Sequence, residues 1–206
     1  MEAEAHQPFG WFENALAAAL NKVIINFSAC LFEGMDCHMN KSDALRLFDY
    51  NFWADRKVWN FIIALSEEQF NQPSDYSIGS VHQQVVHLMD AEAVWLARVK
   101  GAAPELFHDA DVFPTRESIR ARWDDVETAW RTYLESLPDG ELQGVAEYIS
   151  RTDGKHYRTP VWESLMQIIN HSTDHRSQIL ALVHQLGGET GAHDFIYYTW
   201  EKPADI

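Results

Sequence analysis

Four long stretches of this chain place apolar residues three or four positions apart, and this spacing limits the fold more than any other feature. The clearest stretch begins at Ser42 or Asp43, either of which can cap a helix, and runs for about 23 residues. Its apolar members are Leu45, Leu47, Phe48, Phe52, Trp53, Val58, Trp59, Ile62, Ile63 and Leu65. A run of this period and length predicts an amphipathic helix that buries one face against other helices.

Three further stretches show the same helical spacing. One covers Ser80–Lys100, is apolar on nearly every side, and stops at Gly101, a residue type that favours helix ends. Another covers Thr115–Leu137, with the threonine as its cap. The last begins at Pro160, a favoured first helical position, and ends at Gly187. Together with the first stretch they predict four helices long enough to form a bundle.

The connections are predicted to be short, with one small β-hairpin among them. Val145–Ser150 and Lys155–Thr159 are prone to form strands, and Asp153-Gly154 between them is typical of a tight hairpin turn. Ser66–Ser77 has the composition of a loop. The predicted fold class is therefore all-α, a four-helix bundle with a small β-hairpin before the fourth helix.

The two ends of the chain extend beyond these helices. Residues 1–38 are predicted to be an N-terminal extension, with an extra helix over Phe9–Phe32, and residues 39–206 are predicted to hold the bundle. An alternative is that translation starts at Met35 or Met39.

The tail at Asp194–Trp200 is rich in aromatic residues and is expected to pack on the body or on a partner. A homodimer built on the tail or on the extra helix is therefore one expectation.

Charge and cysteine content exclude several classes of protein. The chain has 16 basic and 31 acidic residues, a net charge of −15, which argues against nucleic acid and anionic membranes as partners. Its first residues lack the basic start of a secretion signal. Cys30 and Cys37 are too few for a disulfide framework. These features favour a cytoplasmic protein that acts on a small molecule.

Two histidines on the fourth helix are the first candidates for chemistry. The inward stripe of this helix contains Val161, Leu165, Ile168, Ser172, Ile179, Leu182 and Leu186. His175 falls inside the stripe and His171 lies about 40° away at its edge, so both imidazoles face inward one turn apart. That spacing allows both rings to bind one metal ion, and the alternative is a pair of hydrogen-bonded core histidines.

A third ligand would have to come from the second helix, which offers His82 and His87. They are about 140° apart around the helix, so they cannot both face one ion. The first turn holds His82, whereas His87 is deeper in the bundle, which favours His87 without excluding the other. The sequence has no His-Glu-x-x-His motif, and its Glu-x-x-His pattern, from Glu105 to His108, lies in a linker.

The chain resembles the DinB/YfiT-like family of metal-binding four-helix bundles. Asp49–Ala54 resembles the first-helix motif of that family, with its Tyr, Asn and Trp. Ser77–Val81 together with Val86–Glu92 resembles the second-helix signature, which carries one metal histidine. Asn170–Ile179 resembles the fourth-helix signature, which carries two more.

This resemblance implies that His87, His171 and His175 hold a divalent ion, and it selects His87 over His82. Characterised relatives include transferases that use bacillithiol or mycothiol and a maleylpyruvate isomerase. The family name comes from a damage-inducible gene and does not itself imply DNA repair, which agrees with the acidic charge of this chain.

Three neutral histidines with an open position resemble a catalytic zinc site, which lowers the pKa of a coordinated water or thiol. Zinc is the expected ion, and nickel, iron or manganese also suit these ligands. The expected activity is transfer of a low-molecular-weight thiol to a small electrophile, or hydrolysis of one. The alternatives are a non-catalytic metal-binding or stress-associated protein, and a dimeric scaffold with a vestigial site.

Other residues are secondary candidates for this site. Asp90 and Asp174 are expected to orient ligands or move protons, unless they are ordinary solvated carboxylates. Gln178 lies one turn after His175 and is a candidate for bonding a ligand ring or a bound water, with an ordinary surface glutamine as the alternative. Three aromatic residues are candidates for lining the pocket, with core packing as the alternative: Tyr50, Trp53 and Trp95.

Overall fold

A computed structural model describes residues 39–103, 107–138, 140–150 and 153–204 of the chain. The predicted extension over residues 1–38, with its extra helix, lies outside the described residues and stays a prediction. Within the described ranges, no helix has both the length and the apolar character needed to cross a membrane.

The described part confirms an all-α four-helix bundle with a hairpin before the fourth long helix. Its helices are α1 (Lys41–Ile62), α2 (Glu67–Asn71), α3 (Val81–Val99), α4 (Arg116–Ser136), α5 (Val161–Gln185) and α6 (Phe195–Glu201). The long helices are α1, α3, α4 and α5, and both α1 and α3 pack against α4 and α5. Each long helix therefore buries its apolar face against two neighbours.

The hairpin follows α4 and precedes α5 in the chain, and it packs on the bundle. Its strands β1 (Val145–Ile149) and β2 (His156–Pro160) are antiparallel and contact both α3 and α5. Pro160 was predicted as the first residue of the last helix, but it is the last residue of β2, opposite Val145. The helix starts one residue later because the backbone of Pro160 is extended, with ψ at 141°, and the free N–H of Val161 donates to the carbonyl of Gly144 at 2.9 Å.

Side-chain caps fix the starts of three of the four long helices. Thr115 caps α4 as the sequence predicts, and Ser80, where the second helix was predicted to begin, is the cap of α3. The predicted cap of α1, Ser42 or Asp43, is wrong: Asn40 caps this helix, and Asp43 returns a hydrogen bond to the Asn40 backbone. Because this reciprocal capping box satisfies two backbone donors at once, the helix gains its first residues upstream of the predicted start.

The predicted loop Ser66–Ser77 contains the short helix α2. Ser66 caps it, and the Gln69 side chain returns a bond to the Ser66 backbone. Phe70 is buried in the bundle, which anchors this turn. A helix of five residues is too short to show a helical period in the sequence, so the pattern could not reveal it.

The aromatic tail packs back onto the bundle as α6. Tyr198 is buried, and its hydroxyl donates to Asp49 Oδ2 at 2.9 Å. The Trp53 indole on α1 donates to Glu201 at 2.9 Å. These contacts tie the end of the chain to α1.

The core of the bundle is apolar toward both ends and polar in the middle. One apolar cluster is formed by the first halves of α1 and α5 together with the second halves of α3 and α4. The other cluster is formed by the second halves of α1 and α5 together with the first halves of α3 and α4. Between them lie buried polar side chains from α1, α3 and α5: Asn51, Asp55, Glu92, Ser172 and Arg176. We call these five residues the polar layer.

Hydrogen bonds in the polar layer join all four long helices. Glu92 Oε1 accepts from Asn51 Nδ2 at 2.7 Å and from the Ser172 hydroxyl at 3.1 Å. Its other oxygen accepts from the Trp123 indole of α4 at 2.7 Å. A buried group with this many partners avoids most of the cost of leaving water.

The charge of the polar layer is balanced internally. The Arg176 guanidinium donates to Asp55 at 2.8 Å and to Asn51 Oδ1 at 2.7 Å, and both side chains of the Asp55–Arg176 ion pair are almost fully buried. Burial, and then the charge of Asp55, raises the pKa of Glu92 to about 8, so this carboxyl holds a proton at neutral pH. One cation therefore faces one anion.

Removing the guanidinium should strongly destabilise the bundle. Arg176→Met leaves the Asp55 carboxylate buried without a neighbouring cation, so we expect the free energy of unfolding to fall by about 3–5 kcal/mol. Urea unfolding followed by circular dichroism measures the change. The control is Arg158→Met on the exposed hairpin, which should stay within about 0.5 kcal/mol of wild type. A loss below about 1 kcal/mol for Arg176→Met would contradict the assigned role of this charge pair.

Candidate metal centre

Helices α3 and α5 bring three imidazoles together beside the polar layer. One ligand atom from each of His87, His171 and His175 lies within 4.8 Å of the others. The ring centroids are 4.4 Å apart for the α5 pair, and 4.7 Å and 5.5 Å from His87 to His175 and His171. Ligand atoms at this spacing can converge on a single ion with small side-chain shifts.

The two candidates on α3 have separate environments. His87 joins the α5 histidines, whereas His82 stacks on Phe70 with ring centroids 5.0 Å apart. The ring nitrogens of His82 lie 2.9 Å from Asn71 Oδ1 and 2.8 Å from the carbonyl of Phe113. The rotation of about 140° between the two positions thus sends His82 toward α2 and the linker before α4.

Burial keeps the three imidazoles neutral. Loss of water, followed by the neighbouring imidazoles, lowers the pKa of His87 to about 4. The same causes lower the pKa of His171 to about 4, although the nearby Asp174 carboxylate opposes the shift. Burial also lowers the pKa of His175. Neutral rings at pH 7 have nitrogen lone pairs available for a cation.

Two hydrogen-bonding features suit these rings to a metal ion. The Nδ1 atom of His175 lies 3.1 Å from Gln84 Oε1, and an amide oxygen only accepts, so this nitrogen carries the ring proton. The Nε2 atom of His171 is buried and has no hydrogen-bond partner among the described residues. A buried nitrogen without a partner is costly unless something binds it, so these residues fit a metal ion.

An aromatic ring covers one side of the cluster. Phe107 stacks on His87 with ring centroids 4.9 Å apart and planes 15° apart. The next residue, His108, is held by the buried Asp90 carboxylate, which accepts from its backbone N–H at 2.6 Å and lies 3.0 Å from its Nδ1. Asp90 therefore anchors the linker that carries Phe107, and its roles in orienting a ligand or moving a proton stay predictions.

The other predicted polar residues lie on the exposed side of α5. Gln178 donates from Nε2 to Asp174 at 2.9 Å, and its amide oxygen accepts from the hydroxyl of Ser77. Gln178 thus bonds Asp174 and the loop before α3. Asp174 is exposed, and its charge raises the pKa values of His171 and His175 against the effect of burial.

The predicted pocket-lining aromatics pack on other parts of the fold. Tyr50 and Trp53 contact the Tyr198 ring of α6 at centroid distances of 5.8 Å and 5.7 Å. Trp95 contacts Tyr148 of β1 at 5.5 Å. These contacts favour the packing alternative for all three.

Sequence reasoning missed two residues that contact the imidazoles, Gln84 and Phe107. Gln84 lies one turn before His87 on the same face of α3, and an amide at a buried position of an apolar helix was a usable signal. Phe107 lies in a linker without periodicity, so the sequence offered no comparable signal for its stacking.

Comparisons with known proteins agree with this fold. The model of the DinB family matches residues 38–205, and the chain belongs to this family. Protein DinB of Bacillus subtilis (strain 168) is 22% identical over 164 residues, which cover 75% of this chain and 92% of that protein. A DinB-like protein from Bacillus cereus ATCC 10987 has the same fold, with a TM-score of 0.60 and 20% identity over 74% of this chain and 97% of that one.

Acid should destabilise the metal-free protein through these histidines. In the unfolded chain they take up protons near pH 6.5, and in the folded protein His87 and His171 do so only at about 4. Between these values the unfolded state binds more protons, so the free energy of unfolding falls as the pH drops. Because both rings are only partly buried and solvent screens part of the effect, we expect each of these two histidines to account for a loss of about 1 kcal/mol at most from pH 7 to pH 5.

Urea unfolding at both pH values, with a chelator present, measures this loss. His171→Asn should reduce the pH dependence, and His184→Asn, at an exposed position of the same helix, is the control. An equally steep pH dependence in wild type and His171→Asn would show that this imidazole does not resist protonation.

Proposed function

We propose that this DinB-family protein is a metal-dependent enzyme whose ion is held by His87, His171 and His175. The observation that carries the proposal is that three ligand atoms lie within 4.8 Å of one another, and that the Nε2 of one of these rings, His171, is buried without a hydrogen-bond partner in the described ranges. Neutral imidazoles need not lose protons before they bind a cation at pH 7.

The donor set favours a catalytic role over a structural one. In the described part of the chain the group consists of three histidines, whereas structural zinc sites usually close with four protein ligands, often cysteines. Zinc is our first choice, and nickel, iron and manganese also suit three nitrogens with water. When bound, such an ion supplies Lewis acidity that brings the pKa of a coordinated water or thiol toward neutrality.

The surrounding residues favour a small, uncharged or weakly polar substrate. Phe107 places an aromatic face against His87, while α5 presents the exposed Asp174 on its solvent side. The reaction we propose is thiol transfer to a small electrophile, or hydrolysis of one. The aromatic ring would shield the reacting atoms from water, and the carboxylate could accept a proton released at the site.

Metal binding should depend on the three histidines. His175→Ala should lower zinc affinity at least about tenfold, since it removes one of three ligands. Competition with a chromophoric chelator measures affinity, and metal analysis of the purified protein gives stoichiometry. The matched control is His184→Ala, an exposed histidine on the same helix, which should bind as wild type. Unchanged affinity in His175→Ala would refute the ligand assignment.

Turnover separates an enzyme from a metal-storing protein. The metal-loaded protein should convert at least one member of a panel of thiols paired with small electrophiles, or of hydrolysable esters and amides. Activity should disappear in His175→Ala and after chelation. Tight metal binding without any turnover across the panel would instead support the non-catalytic alternative.

A further inference from the structure

We propose that Gln84 is a positioning residue, which fixes the proton of His175 on Nδ1 and thereby presents Nε2 to the metal ion. The inference rests on the proposed metal site and goes beyond it by assigning a residue that does not itself bind the ion.

The contact that carries the proposal is buried and specific. Gln84 is fully buried on α3, and its Oε1 lies 3.1 Å from Nδ1 of His175 on α5. A neutral imidazole carries one proton, and an amide oxygen accepts but never donates, so the proton must sit on Nδ1. The lone pair of the ring is then on Nε2, which is the nitrogen that remains available to a metal ion.

The direction of this amide therefore decides whether His175 can act as a ligand through Nε2. If the amide were reversed, its NH₂ group would donate to Nδ1, and the ring proton would move to Nε2. That nitrogen would then be blocked for metal binding. A partner that orients a metal-binding ring in this way commonly changes metal affinity by about 10–100-fold when it is removed.

Gln84 is a poor choice for packing alone. Its Nε2 group is buried and has no hydrogen-bond partner in the part of the chain that the structure describes. Leaving such a donor unsatisfied costs free energy that an apolar side chain of similar length would avoid. Val85 and Val86 beside it are buried and apolar, so methionine would suit this environment. The polar side chain is explained if its oxygen serves His175.

The experiment compares Gln84→Met with Gln84→Glu. Methionine keeps the length of the side chain and removes the acceptor, whereas glutamate keeps an acceptor oxygen and removes the unpaired NH₂. We expect Gln84→Met to weaken binding of Zn²⁺ about 10–100-fold and Gln84→Glu to stay within about tenfold of wild type. Gln167→Met, at an exposed position of α5 one turn before His171, is the matched control and should bind as wild type.

Two readouts on the metal-free protein distinguish positioning from packing. Nitrogen-15 NMR at neutral pH should show the Nδ1–H form of His175 in wild type and a shift toward the Nε2–H form in Gln84→Met. The thermal midpoint of that variant should stay within about 3 °C of wild type, because the lost hydrogen bond and the removed unpaired donor offset each other.

Three results would overturn the inference: wild-type Zn²⁺ affinity in Gln84→Met, an unchanged His175 tautomer in that variant, or a weakened affinity that glutamate does not restore. If wild type itself bound no Zn²⁺, the proposed function would fail instead, and the tautomer measurement would still test the role of Gln84.

Discussion

The burial of Arg176 at the centre of the bundle is the constraint on which the rest of this structure depends. A buried guanidinium needs a nearby anion, and the Asp55 carboxylate lies 2.8 Å away. In the same layer, Glu92 of α3 forms hydrogen bonds with all three of the other long helices. Because Ser172 and Arg176 must face this layer, the rotation of α5 about its axis is fixed. The residues immediately before them, His171 and His175, are then directed toward His87 on α3.

Much of the fold followed from local physics. The four long helices came from apolar spacing, and the cap Thr115 came from its side chain, which can satisfy a free backbone donor. The pairing of His171 with His175 also followed, since both lie on one helix at a spacing of one turn. The apolar spacing could not decide between His82 and His87 on α3, because a helix that is apolar on all sides has no single inward face.

The remaining parts of the site depend on contacts between distant positions. The contact from Gln84 to His175 spans 91 residues, and that from Asp90 to His108 joins a helix to a linker. Sequence spacing gives no information about such pairs, so it could not reveal that Asp90 bonds His108. Asn51 and Arg176 stood inside motifs that resemble the family signature, yet their part in the polar layer appeared only when the helices were assembled.

The ion pair at the heart of the bundle also restricts how this sequence can evolve. A mutation that replaces either Asp55 or Arg176 alone leaves the other charge buried without its opposite. Each single mutant that lies between the present pair and an apolar replacement is therefore unstable. Descendants of this chain can abandon the pair only through near-simultaneous changes at both codons, or after gaining enough stability elsewhere to survive the intermediate. Sequence changes are therefore expected mainly at surface and loop positions, while the Asp55–Arg176 pair that orients the histidines is retained.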